Sequence, residues 1–115
     1  MTSSQLNQPL LVLTNVPEQE LAQSLARTLV DEGLAACVNI LAPVASVYRW
    51  QGKVEHASEI PLLIKTTQAR YAEVEQAICR AHPYDVPEIV ALPVAAGLPA
   101  YLQWMREETG KPLST

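Results

Sequence analysis

The stretch from residue 35 to residue 65 constrains this chain more than any other. Two extended segments, residues 35–50 and 53–65, flank the turn pair Gln51-Gly52. Ser46, Tyr48 and Trp50 alternate with Val47 and Arg49, which is the two-residue period of a strand. Strands usually run about six residues, so arms of a dozen or more predict a hairpin that projects from its domain or pairs with a neighbour. Pro43 breaks the first arm and Pro61 falls within the second. Neither can donate a ladder hydrogen bond, which predicts edge strands or bulges there.

Helical and extended patterns alternate around this hairpin. Leu10 to Leu13 is a short apolar run of strand type, entered through Pro9. Pro17 is placed to occupy a first helical turn, with Glu18 and Glu20 favourable beside the helix N-terminus. Leu21, Leu25, Leu29 and Ala22, Ala26, Val30 recur at helical spacing and predict one buried stripe, with Gly33 as its C-terminal stop. Asp31 and Glu32 sit at the unfavourable end of that helix dipole. Thr66 or Thr67 can cap a second helix with Tyr71, Val74, Ile78 and Ala81 facing inward. Proline disfavours helical geometry in the residue before it, so that helix should stop at His82-Pro83. Residues 86–94 read as a buried strand broken by Pro93, and Gly97 and Pro99 introduce a last short helix. The order β-α-β-β-α-β plus a terminal helix is the ferredoxin-like pattern, an α+β fold with two helices on one face of an antiparallel sheet.

At 115 residues the chain is read as one domain, with residues 1–8 and 110–115 expected to be flexible. Charged residues are only 17%, too few to solvate a bare second sheet face, so another copy of the chain is the simplest cover. The net charge is −4 and the eight Lys and Arg form no basic run, which argues against nucleic acid as a partner. The longest apolar stretches are too short to span a bilayer, and residues 1–8 show no secretory signal. Two cysteines make no disulfide framework, so a reduced, cytoplasmic setting is expected.

Three constellations could carry chemistry. Cys37, Glu59 and His82 offer thiolate, carboxylate and imidazole from three elements, a set suited to copper or zinc rather than to magnesium or calcium. Cys37 also reads as a small buried hydrophobe, and His82 as a helix-terminal histidine bonding its own helix. Cys79 lies three residues before His82, a spacing too slight to define a metal site by itself. Lys65 follows Leu62-Leu63-Ile64, with Glu59 and Glu88 as acid–base or structural partners. No activated nucleophile or glycine-rich phosphate loop is present, so no enzyme is read and no organic cofactor is expected. The aromatics Tyr48, Trp50, Tyr84, Tyr101 and Trp104 suit an interface, a ligand cleft or core packing.

Taken together, Leu34-Ala35-Ala36-Cys37-Val38-Asn39, Ser46-Val47-Tyr48-Arg49-Trp50-Gln51-Gly52-Lys53, Ile64-Lys65-Thr66-Thr67, His82-Pro83-Tyr84 with Pro87-Glu88-Ile89, and Tyr101-Leu102-Gln103-Trp104 resemble the CutA family of divalent-cation tolerance proteins. The resemblance implies a ferredoxin-like protomer in a homotrimer whose long hairpins pair between subunits. It also implies an association with copper and other divalent cations, and metal contacts at Cys37, His82 and Glu59. Thr14 stands where some members carry a cysteine, and Ala81 where some carry a second histidine, which predicts weaker copper binding. The architecture is similar to PII-like signalling proteins, so the alternative is a sensor that holds an anionic metabolite through Lys65 and Arg49 and signals to a further protein.

Overall fold

The computed structural model describes residues 1–110, so the expectation for the last residues of the tail lies outside the described residues. In chain order the elements are α1 (Ser3–Leu6), β1 (Pro9–Val16), α2 (Gln19–Asp31), β2 (Cys37–Ile40), β3 (Val44–Trp50), β4 (Lys53–Thr67), α3 (Tyr71–Ala81), β5 (Ile89–Pro93) and α4 (Pro99–Glu108). A 3-10 turn, Gln68–Arg70, leads into α3. All strand pairs are antiparallel and the main sheet runs β2-β4-β1-β5, with β3 paired to the outer half of β4. This is the ferredoxin-like arrangement, extended by α1 and α4. Among the described residues no helix is long and apolar enough to cross a membrane.

Alternation along the central strands sorts side chains between two faces. Val12 and Val16 of β1 and Ile60, Leu62 and Ile64 of β4 point to one side, where they pack on Ala22, Leu25, Ala26 and Leu29 of α2 and Val74 and Ile78 of α3. The stripe on α2 is narrower than the sequence pattern implied, because Val30 is 43% exposed. Four residues advance a helix by about 400°, so each i, i+4 step drifts about 40° and the row leaves the core by its third member. Ala81, at the end of α3, is likewise exposed.

Helix ends differ in detail from expectation. Glu18 is the N-cap of α2, so Pro17 lies just before the helix rather than in its first turn. At the other end Gly33 has φ +70, Leu34 N donates to Leu29 O and Gly33 N donates to Val30 O, the paired bonds of a Schellman stop. Asp31, at the unfavourable dipole end, pairs with exposed Arg27 at 2.9 Å. Thr66 and Thr67 do not cap a helix with their hydroxyls: Thr66 Oγ1 donates to Leu34 O, and Thr67 Oγ1 meets Thr109 Oγ1 at 3.2 Å. Residues 3–6, in the segment expected to be flexible, form α1 with a capping box between Thr2 and Gln5.

The prolines explain where pairing stops. The chain leaves the sheet at residues 41–43 and re-enters a ladder as β3, so Pro43 sits in the break. Pro61, by contrast, lies on an inner strand, which corrects the expectation of an edge. Its carbonyl accepts from Leu41 N at 2.9 Å, and N–H and C=O of one strand residue point the same way. The missing donor therefore faces Leu41, just past the end of β2, where the pair keeps one hydrogen bond instead of two. The segment expected as a buried strand over residues 86–94 is shorter and sits at an edge. Val94 N donates to Pro9 O, so Pro93, one residue before, directs its absent donor outward. Val90 and Leu92 of this strand are 47% and 55% exposed.

The outer half of β4 and all of β3 form a two-stranded arm. β1 reaches only Val16, opposite Ile60, so residues 53–59 pair with β3 alone. Seven residues at about 3.3 Å each carry the arm about 23 Å past the sheet. The molecule's extents of 49, 28 and 25 Å reflect that projection.

Candidate functional site

The arm is shaped by its turn. Trp50 pairs with Lys53, leaving a two-residue connection in which Gln51 and Gly52 have φ 48 and 80. Positive φ at both positions is the type I′ geometry that follows strand twist. Register then places Ser46, Tyr48 and Trp50 on the same face as Glu59, while Val47, Arg49 and Val54 lie on the other. Facing the first set is the loop that follows α3.

That loop starts at His82, the C-cap of α3, which has φ −80 and ψ 135 and whose N–H donates to Ile78 O. The residue is 7% exposed. Nε2 lies 2.7 Å from the carbonyl oxygen of Asn15, which can only accept, so Nε2 carries the proton in the neutral ring. Nδ1 accepts the N–H of Tyr84 at 3.2 Å. The ladder explains why Asn15 needs this partner. Its neighbours Leu13 and Leu11 bond across to β5, but β5 begins only opposite Thr14, and the imidazole takes the place of the next strand residue. His82 thus holds the loop to the sheet edge. Its ring also contacts that of Tyr84, with centroids 4.6 Å apart.

An open cleft of about 740 Å³ separates arm and loop. Tyr48, Trp50 and Glu59 line it from the arm, and Tyr84, Asp85 and Glu88 from the loop. Partial burial, the Glu59 carboxylate and Tyr48 together push the Tyr84 phenol above its ordinary value. Five of these six residues were candidates in the sequence. Asp85 was missed, although it lies in the His82–Glu88 segment that the prolines mark, because an isolated aspartate in a loop has no spacing signal.

The remaining candidates gather elsewhere. Cys37 pairs with Lys65 in the β2–β4 ladder, with Sγ and Nζ 4.0 Å apart. Lys65 Nζ lies 5.8 Å from the centre of the Tyr101 ring, and Tyr101 contacts Trp104 at 5.4 Å. Lys65 is on the sheet face away from α2 and α3, so α4 packs across that second face. Neither Lys65 nor Arg49 lines the cleft. Cys37, opposite Lys65, and Glu59 lie on one face but six residues apart along β4, about 20 Å at strand rise. Cys37, Glu59 and His82 of one chain therefore do not fit a single ion. Consistent with this, among the described residues no three His, Cys, Asp or Glu side chains are grouped to hold one.

Comparison with known proteins places these features in a family. Residues 10–108 match the family model described as CutA1 divalent ion tolerance protein. The chain is 50% identical over 100 residues to the divalent-cation tolerance protein CutA of Thermus thermophilus, covering 87% of this chain and 97% of that one. It is 42% identical over 107 residues to the chloroplastic protein CutA of Arabidopsis thaliana, spanning 93% of this chain but 59% of that longer one. The solved structure of the Thermus thermophilus divalent cation tolerance protein (Cut A1) superposes with a TM-score of 0.87 at 49% identity, over 89% of this chain and 99% of that one.

Proposed function

The chain belongs to the CutA1 family of divalent ion tolerance proteins, and from that premise we propose that it is a homotrimer taking divalent metal ions, copper among them, at contacts between its copies. In this reading Cys37, Glu59 and His82 of different copies supply soft and borderline donors, and the protein binds rather than catalyses. Two free cysteines suit a reduced compartment, and we assign the cytoplasm.

The observation that carries the reading is the separation of Cys37 and Glu59 on one sheet face, about 20 Å apart in a chain. Only a second copy can bring such donors to one ion. The arm supports assembly independently. Among the described residues both of its edges are unpaired over residues 44–50 and 53–59, and Val47 and Val54 are 64% and 58% exposed. A lone two-stranded ribbon is marginal in water, and open edges are templates for another chain. The edge strand β5, with Val90 and Leu92 uncovered, is a second surface of the same kind. Binding through His82 requires its ring to release Tyr84 N–H, since Nδ1 is the nitrogen with a lone pair.

Sedimentation at micromolar concentration, followed by Cu²⁺ titration of the wild type and His82→Ala, tests both parts. A trimer with weakened copper binding in the variant is expected. A stable monomer rejects the assembly, and equal copper affinity removes His82 from the site. Lys65 and Arg49 lie outside the acidic cleft, so no observation favours an anionic metabolite there.

A further inference from the structure

We propose that His82 is a latch as well as a ligand: coordination through its Nδ1 frees residues 83–88 from the sheet edge, so that metal occupancy is converted into release of this loop. The latch presupposes the metal reading above and adds which nitrogen binds and what the chain does in consequence.

The ring is committed at both nitrogens. Nε2–H donates to Asn15 O at 2.7 Å, and Nδ1 accepts from Tyr84 N–H at 3.2 Å. A metal ligand needs a lone pair, and only Nδ1 has one in this tautomer. Metal-bound histidines almost always donate their other N–H to a carbonyl, a carboxylate or water, which fixes tautomer and ring orientation. The Asn15 carbonyl already holds that position. The ring is therefore oriented for coordination through Nδ1.

Tyr84 N–H occupies the same lone pair. Coordination and this hydrogen bond exclude each other. Both partners belong to one chain and lie two residues apart, so the competition is the same however copies assemble. His82 is only 7% exposed, and an ion reaches Nδ1 once Tyr84 N–H has moved away.

The contested bond is the one that matters to the loop. Pro83 and Pro87 have no N–H to offer, and pairing of β5 with β1 begins only at Ile89. Among the described residues no other hydrogen bond or ion pair involves residues 83–88. The rings of His82 and Tyr84, with centroids 4.6 Å apart, add a packing contact at the same point. Loop docking and metal binding are thus linked with opposite sign: whatever holds Tyr84 down weakens coordination, and coordination weakens docking by the same factor.

Zn²⁺, which is diamagnetic, is the probe, added to the full chain in its native assembly at one fixed pH. Nuclear magnetic resonance of isotope-labelled histidine should show the Nδ1 signal of His82 shifting while Nε2 keeps its proton. The Tyr84 amide should exchange about fivefold faster with zinc, as for loss of one hydrogen bond, while amides of β1 keep their rates. Tyr84→Ala keeps the N–H but loses the ring contact, and should bind zinc about threefold more tightly by calorimetry, with sedimentation confirming unchanged assembly. Removing a residue that merely supported the site would weaken binding instead. Coordination through Nε2, a Tyr84 amide that stays protected in zinc, or unchanged or weaker zinc binding in Tyr84→Ala would each overturn the latch and leave the metal reading standing. No zinc response at either nitrogen of His82 would remove this residue from the metal site, and the latch with it.

Discussion

Along β4 the same alternation runs through two environments. In the inner half, Leu62 and Ile64 are fully buried between the sheet and α2 and α3. In the outer half, Val54 is 58% exposed and its partner strand holds Tyr48 and Trp50 at 42% and 46%. β4 itself runs on across the boundary at Ile60, although its partners change there from β1 and β2 to β3. The contrast shows that hydrogen-bonded ladders set geometry while burial sets stability. The inner half is a finished core. The outer half is a surface that the described residues leave uncovered.

The comparison is tested most severely by truncating one apolar residue in each half. Leu62→Ala is expected to lower unfolding free energy by about 2–5 kcal/mol, through lost transfer energy and the cavity left behind. Val54→Ala should change it by no more than about 0.5 kcal/mol in dilute protein, as for other surface changes. Denaturant titration measures both. A loss in Val54→Ala that appears only as copies associate is what the proposed packing of the arm against another copy requires, whereas a loss of about 2 kcal/mol or more in the dissociated chain would break the contrast.

A middle-sized effect is expected at the junction between the halves. His82→Ala removes the donor to Asn15 O and the acceptor for Tyr84 N–H. Leaving a partly buried carbonyl unpaired costs about 1 kcal/mol, the low end of the range for a buried group, and amide exchange should quicken in residues 82–88 before the core. Exchange that quickens uniformly would contradict this local role.

Gly52→Ala probes the arm alone. No atom lies within 4 Å of the added Cβ, so the cost is conformational, from φ +80. It should be about 1–2 kcal/mol, confined to the turn. Nuclear magnetic resonance shifts spreading from the arm into β1 would show the halves to be coupled.

The smallest effect is one of pH, and it belongs to the helix-covered side. Burial, the bond from Tyr71 Oη to Glu75, that carboxylate's charge and Cys79 raise the Tyr71 phenol from its ordinary value of 10.0 to about 12. The folded protein keeps this proton after the unfolded chain has lost it. The contribution is therefore complete below pH 10 and lost as pH rises toward about 12. Tyr71→Phe should show a shallower fall in melting temperature across that window, and equal slopes would remove Tyr71 as the cause.

Much of this was legible in the residues. Helical spacing located α2 and α3, Gly33 and His82 marked their ends, and alternation from Ser46 to Trp50 gave the face that Glu59 shares. What escaped depends on partners distant in sequence. Thr67 has a capping residue's chemistry, yet Thr109, just past the end of α4, engages its hydroxyl. The apolar run around Val90 reads as buried on both sides, but one chain covers only one of them. Lys65 and Glu59 share a face by parity, and only strand rise reveals that they serve different regions.

The type I′ turn at Gln51-Gly52 has a consequence in time. It joins β3 to β4 through neighbours in sequence, whereas β1 must find the inner half of β4 across up to about half of the chain. Closing a short loop costs less entropy and proceeds faster, so the arm's register is set early. The part of the molecule with the least burial would then template the strand that the core later adopts.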